Sequence, residues 1–277
     1  MSQSKQPQLK TADGEMPALG FGTWELKGQL AKEAVHMALD TGYRHIDTAR
    51  MYANEQEVGE GIAASSVARE EVFLTTKIFK DSLDAESLKK ELDTSLHLLG
   101  TDYVDLLLIH WPSADVALEE TLGAMDQARK AGKTKHIGVS NFTIELLDRA
   151  IKASASSIAC NQVEYHPYLS QEKLLRFCRG KGVPLVAYCP LAKGRVPRDQ
   201  TLQEIGEKYG KTGVQVAIRW FLQQDGVGAI PKSSDPSHIQ SNFEVFDFEL
   251  SEADMQRIGS LQQGRRLIDP PWAPEWD

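Results

Sequence analysis

Short apolar runs and helical stretches alternate eight times between residues 19 and 242, and this alternation constrains the fold more than any other feature of the chain. The runs are residues 19–22, 44–47, 72–77, 103–110, 135–140, 158–162, 183–188 and 228–231. Each precedes a stretch with apolar residues at helical spacing: 29–40, 54–64, 85–99, 118–131, 144–153, 171–179, the pair 202–209 and 214–223, and 236–242. The near-continuous apolar run from Val104 to Ile109 suits a strand covered on both faces, as in a parallel sheet buried by its crossover helices. Eight such units predict an α/β fold of the (β/α)8 TIM-barrel type, and 277 residues accommodate it as a single domain, 1–277. An open doubly wound sheet is the competing fold, and it would carry a glycine fingerprint. Gly20-Phe21-Gly22-Thr23-Trp24-Glu25 begins like one but has Glu25 where the last glycine belongs.

Two segments lie outside the repeat. Residues 8–17 read as an N-terminal β-hairpin, which needs something to cover. After a helical stretch at 251–261, the tail 265–277 is rich in proline and tryptophan. Barrel active sites lie at the C-terminal ends of the strands, so the tail is expected to fold over that face and bring Trp272 and Trp276 to its border.

The formal net charge is −8, and no run of lysine or arginine is interleaved with aromatics, which argues against a nucleic-acid partner. The N-terminal residues have no apolar core of a signal peptide, and no stretch of 18 apolar residues follows. The expectation is a cytoplasmic protein with no membrane partner. Cys160, Cys178 and Cys189 form no CxxC pair and read as buried thiols. The histidines at 36, 45, 97, 110, 136, 166 and 238 show no HExxH spacing, so no metal is expected. Gly138-Val139-Ser140-Asn141-Phe142 starts like a nucleophile elbow, but Phe142 replaces the final glycine.

In a barrel the strand ends converge on one site. Here they are Thr23-Trp24, Asp47 with Tyr52 in the loop after it, Lys77, His110-Trp111, Ser140-Asn141, Gln162, Tyr188 and Pro231-Lys232. Singly, each has an ordinary structural explanation: Asp47 as a cap, Tyr52 as a surface residue, His110 as a satisfied core histidine. Lys77 is different, because it ends a buried run and needs a carboxylate partner or a shifted pKa; Asp47, one strand away, is the obvious partner. A free phenol has a pKa of about 10. The Lys77 ammonium is expected to lower that of Tyr52, while Asp47 keeps the lysine charged. His110 would orient a carbonyl oxygen beside the phenol. Such a site gives a proton to a carbonyl oxygen and needs a partner that delivers hydride to the carbon.

The chain resembles the aldo-keto reductase family over nearly all its length. The resemblance rests on Gly42-Tyr43-Arg44-His45-Ile46-Asp47-Thr48-Ala49 with Tyr52 and Asn54-Glu55, and on Asp105-Leu106-Leu107-Leu108-Ile109-His110-Trp111-Pro112. Gly138-Val139-Ser140-Asn141-Phe142, Asn161-Gln162-Val163-Glu164 and Ile230-Pro231-Lys232-Ser233 complete five ordered motifs. The likeness implies a barrel binding NADPH in extended form, with Asp47, Tyr52, Lys77 and His110 as the catalytic tetrad. It implies cofactor contacts at Thr23, Trp24, Asp47, Ser140, Asn141, Gln162 and Tyr188, with Tyr188 stacked on the nicotinamide. Lys232, Ser233, His238 and Asn242 would meet the adenosine end.

His238 stands where the family usually has arginine. A mostly neutral imidazole cannot make a bidentate phosphate pair, but Lys232 remains, so NADPH is expected with weakened discrimination against NADH. Trp24, Phe79, Trp111 and Trp272 are the candidate substrate-pocket residues. The short loop after His110 and the ending Ala273-Pro274-Glu275-Trp276-Asp277 most resemble the bacterial 2,5-diketo-D-gluconate reductases, B type. Keto-sugar acids, methylglyoxal and small aldehydes are the implied substrates, reduced by a monomer. The competing readings are a cofactor-sensing interaction module with little turnover, and a barrel hydrolase or lyase active without nicotinamide.

Overall fold

A computed structural model describes residues 6–277. It opens with an antiparallel hairpin, β1 (Gln8–Thr11) and β2 (Gly14–Pro17), pairing Leu9 with Met16. The repeat then runs as β3 (Phe21–Gly22), α1 (Gly28–Thr41), β4 (His45–Asp47), α2 (Glu55–Ala64), β5 (Phe73–Ile78), α3 (Ala85–Leu99), β6 (Val104–Ile109) and α4 (Leu118–Lys130). It continues as β7 (Thr134–Ser140), α5 (Ile144–Ala153), β8 (Ile158–Glu164), α6 (Glu172–Lys181), β9 (Leu185–Tyr188), α7 (Gln200–Tyr209), α8 (Gly213–Leu222), β10 (Val227–Ala229) and α9 (Pro236–Phe243). A last helix, α10 (Glu252–Gly259), precedes the tail.

The strands from β3 to β10 pair in chain order and all in parallel. The barrel closes where Leu19 bridges Ala229, with Gly20 N donating to Ala229 O (2.9 Å) and Ala229 N to Ala18 O (2.8 Å). This seam explains why β3 is shorter than the run 19–22: Leu19 belongs to an isolated bridge with the last strand. It also explains Gly228, where a Cβ would lie 2.6 Å from Ala18 O, a distance no side chain tolerates.

The predicted hairpin covers the N-terminal end of the barrel. Leu9 and Met16 pack on Leu106, Leu108, Ala159, Cys160, Val186 and Ile230, which fill the interior. Asp13 in its turn accepts from Arg129 (2.8 Å) and faces His136 (3.1 Å) at the start of β7. The larger core lies between strands and helices; in α3 it takes Leu88, Leu92, Leu96 and Leu99, one face at helical spacing. Each such buried side chain contributes about 1.5–3 kcal/mol, so the scaffold under the strand ends is rigid. Among the described residues no helix is long and apolar enough to cross a membrane.

Candidate active site

Strand register dictates which side chains meet inside the barrel. Paired residues on parallel strands point to one face, and residues two apart share it. Asp47 pairs with Thr75, Thr75 with Leu106 and Lys77 with Leu108, so Asp47, Thr75 and Lys77 share the inward face with the interior residues Leu106 and Leu108. Lys77 is 0% exposed and Asp47 1%. Lys77 Nζ donates to Asp47 Oδ1 (2.5 Å), Thr48 O (2.9 Å) and Tyr52 Oη (3.3 Å), which uses all three of its protons. Across the barrel, Gln162 Nε2 donates to Asp47 Oδ2 (2.8 Å). Burial opposes the Lys77 charge, but Asp47 and the Tyr52 phenol outweigh it and hold the ammonium above its ordinary pKa.

Tyr52 ends a single 3-10 turn, Arg50–Tyr52, directly after β4. Asn54 fixes that turn: it donates to Thr23 O (2.9 Å) and Leu26 O (3.0 Å) and accepts from Thr48 Oγ1 (2.8 Å). The Tyr52 ring is half-buried, edge-on to Trp24 (4.8 Å) and to His110 (5.6 Å). The sequence led us to expect a lowered phenol pKa, and the structure corrects this. Burial pushes the phenol above its ordinary value, Lys77 pulls it down, Asp47 pushes it up, and the net direction is upward. The reason is that Lys77 reaches Tyr52 already paired with Asp47, so the phenol faces an almost neutral couple in a poorly solvated place.

His110 follows β6 and is buried. Its Nδ1 has no partner inside the protein, and burial, reinforced by the Lys77 charge, holds the imidazole well below its ordinary pKa. It is a neutral ring pressed against a protonated phenol. Beside it, Asn141 adopts a left-handed backbone (φ 63°), which only Asn, Asp and Gly adopt readily. Its Nδ2 donates to His110 O (2.9 Å), and its Oδ1 accepts from Tyr188 Oη (2.8 Å). Ser140 Oγ donates to Gln162 O (2.8 Å). Ser140, Asn141, Gln162 and Tyr188 thus form one polar edge contiguous with Asp47, and Thr23 joins it by donating to Asp47 O (3.0 Å).

The adenosine-end candidates lie separately, on the segment leading into α9 and along that helix. Lys232 is half-buried and makes no ion pair among the described residues; Ser233 follows it, and His238 and the buried Asn242 lie on α9. Asp235, not singled out from the sequence, caps the helix by accepting from Ser237 N (2.8 Å) and His238 N (3.3 Å). Its Asp-Pro position was the available signal for a cap.

The candidate substrate residues form a broken aromatic wall. Phe79 is edge-on to His110 (5.9 Å) and to Trp272 (6.2 Å), whereas Trp111 packs on Trp276 (6.2 Å). The tail does cross this face. Glu164, fully buried at the end of β8, accepts from Leu267 N (2.7 Å), Ile268 N (2.9 Å) and His166 Nε2 (3.0 Å). At its far end the Asp277 carboxylate accepts from Ile144 N (3.0 Å), the first residue of α5, and Arg266 lies on the Trp276 ring (3.6 Å). Glu164 had gone unassigned from the sequence, although an acid ending a buried strand two residues after Gln162 must find donors.

Comparison with known proteins agrees with this geometry. The family model described as "Aldo/keto reductase family" matches residues 18–263. The chain is 41% identical over 266 residues to the methylglyoxal reductase DkgB of Escherichia coli O157:H7, covering 95% of this chain and 99% of that protein. It is also 41% identical over 273 residues to the glyoxal reductase of Bacillus subtilis (strain 168), covering 98% of each. A crystal structure provisionally assigned as a 2,5-diketo-D-gluconic acid reductase B superposes with a TM-score of 0.95. It is 44% identical, covering 98% of this chain and 97% of that one.

Proposed function

The chain belongs to the aldo/keto reductase family and is an oxidoreductase of carbonyl compounds, and from that premise we propose that Tyr52 is its proton donor and NADPH its reductant. The observation that carries this reading is the buried Asp47–Lys77–Tyr52 chain with a neutral His110 against the phenol. We take residues 1–277 as one barrel domain, with hairpin and tail closing its two ends.

The residues present suit a nicotinamide dinucleotide. The amides of Asn141 and Gln162 and the Ser140 hydroxyl make a planar polar edge beside the half-buried Tyr188 ring, which fits a flat ring bearing a carboxamide. Lys232, without an ion pair among the described residues, fits an anion at the other end. A bound nicotinamide supplies hydride to the carbonyl carbon. The chain's own residues handle the oxygen. His110 Nε2, the ring nitrogen not sealed inside, and Tyr52 Oη hold that oxygen between them. Charge grows on the oxygen as the carbon is reduced, and the Tyr52 proton moves to it. Lys77 then stabilises the phenolate left behind, and Asp47, fixed by Gln162, keeps Lys77 charged and aimed. A raised phenol pKa suits this role, since the proton is held at neutral pH until a much stronger base, the forming alkoxide, takes it.

The substrates fitting this site are small carbonyls: methylglyoxal, short aldehydes and keto-sugar acids such as 2,5-diketo-D-gluconate. Following NADPH oxidation with each tests the reading, and tight cofactor binding without turnover of any would favour a cofactor-sensing module instead.

Cofactor choice is a separate expectation. Lys232 favours the 2′-phosphate, while Asp235 places a carboxylate on the neighbouring helix start and His238 offers no fork of donors. Tryptophan-quenching titrations are expected to give NADPH the lower Kd by less than about tenfold, and His238→Arg is expected to tighten NADPH about tenfold while leaving NADH unchanged. Equal affinities in the unmodified protein would overturn the NADPH preference.

A further inference from the structure

One cation at the mouth has no part in the proton relay. β5 delivers Lys77 to the interior, Phe79 comes next over His110, and Lys80 begins the short turn Lys80–Ser82. The Lys80 ammonium lies 5.8 Å from the centre of the Phe79 ring and 5.6 Å from that of Trp272, so it sits where strand end and tail meet. Its side chain is only 20% exposed. Its carboxylate partner is its sequence neighbour Asp81 (2.5 Å), 66% exposed; a solvated pair of this kind is weak and leaves the cation open to a second anion.

Lys232 belongs to the adenosine-end group, and three other cations near this face are committed elsewhere. Arg50 pairs with Glu91 (2.8 Å), Arg266 lies on Trp276 (3.6 Å), and Lys27 donates to the Tyr52 carbonyl. Lys80 alone among the described residues contacts the Phe79–Trp272 wall as a cation, and Phe79 in turn touches His110. A substrate whose carbonyl oxygen lies between Tyr52 and His110 would run its carbon skeleton along Phe79 and bring its far end to Lys80.

We propose that Lys80 is a specificity-determining residue that recognises a carboxylate on the substrate, so that the preferred substrates are carbonyl compounds carrying an anionic group a few atoms from the carbonyl. The proposal rests on the reading of Tyr52 and His110 as the reducing centre. It ranks keto acids and aldehyde acids above neutral carbonyls of the same size, methylglyoxal included. Aromatic walls lower the local dielectric, which strengthens a carboxylate–ammonium contact that bulk water would screen.

Steady-state kinetics on matched pairs tests it: succinic semialdehyde against butanal, and 4-carboxybenzaldehyde against benzaldehyde, with saturating NADPH. The unmodified enzyme is expected to favour the charged member of each pair. Lys80→Met is expected to lower kcat/KM for the charged member about tenfold or more, mainly through KM, and to leave the neutral member within about twofold. Lys80→Arg is expected to keep the preference, and Asp81→Asn to increase it by freeing the ammonium. Equal losses on both members in Lys80→Met, or no preference in the unmodified enzyme, would overturn the proposal while leaving the reduction chemistry standing. An unmodified enzyme that binds NADPH and reduces neither member would overturn the reduction reading itself, and the role of Lys80 with it.

Discussion

Tyr52→Phe is expected to fold, bind cofactor with unchanged affinity, and lose about 10²–10⁴-fold in kcat for reduction. The one partner of the hydroxyl, Lys77 Nζ, stands at 3.3 Å and keeps two shorter bonds without it, so stability has little to lose. The developing alkoxide, by contrast, loses its proton source. The comparison to make is single-turnover hydride transfer beside a cofactor titration, and a kcat within a few-fold of the unmodified enzyme would remove Tyr52 from the mechanism. Burial sets the pH dependence. The phenol is held above its ordinary value and the imidazole well below its own, so neither titrates near neutrality. Reduction is therefore expected to be flat between about pH 6 and pH 9, while alcohol oxidation, which needs the phenolate, rises with pH.

Lys77→Met is expected to abolish measurable turnover and to cost about 3–5 kcal/mol of stability, because it strands Asp47 as an uncompensated buried charge. Adding Asp47→Asn removes that charge. The double variant is expected to regain most of the lost stability and none of the activity, as read from urea denaturation midpoints and kcat together. If the double variant were no more stable than Lys77→Met, the pair would not be the coupled unit its 2.5 Å contact indicates. The sign of the pH effect follows from the same pair. The folded-state pKa of Lys77 lies above its unfolded value, so the stabilisation is complete below about pH 10 and is lost as pH rises through the folded pKa.

Much of this was legible in the chain because the barrel converts order into position. Eight alternations showed which residues end strands, and the convergence of strand ends then offered Asp47 as the partner of Lys77 before any distance was known. Local chemistry moved some boundaries. The run 183–188 starts its strand only at Leu185, since Pro184 has no N–H to give the ladder. The direction of the Tyr52 shift was not legible, because it is a balance between burial and a charge already neutralised by a neighbour, and depth inside the mouth is not written in residue spacing. Lys80 was missed for a related reason: whether a residue just past a strand points to solvent or to the wall depends on one 3-10 turn and on a tail nearly two hundred positions later. Glu164 carried a signal, a buried acid without an assigned partner. Two of its three donors are backbone amides of the tail, which no sequence pattern marks.

The tail divides what selection can change independently. The proposed proton relay hangs on strand ends β4, β5 and β6, whereas the outer wall hangs on residues 267–277, held by Glu164 at one end and by the first amide of α5 at the other. Between those two fastenings the backbone carries aromatic side chains that the barrel core does not need for its own folding. Replacements at the exposed Trp272 can therefore accumulate while the strand-end residues beneath keep their places, and a lineage can acquire a new diet of carbonyl compounds while inheriting its reaction intact.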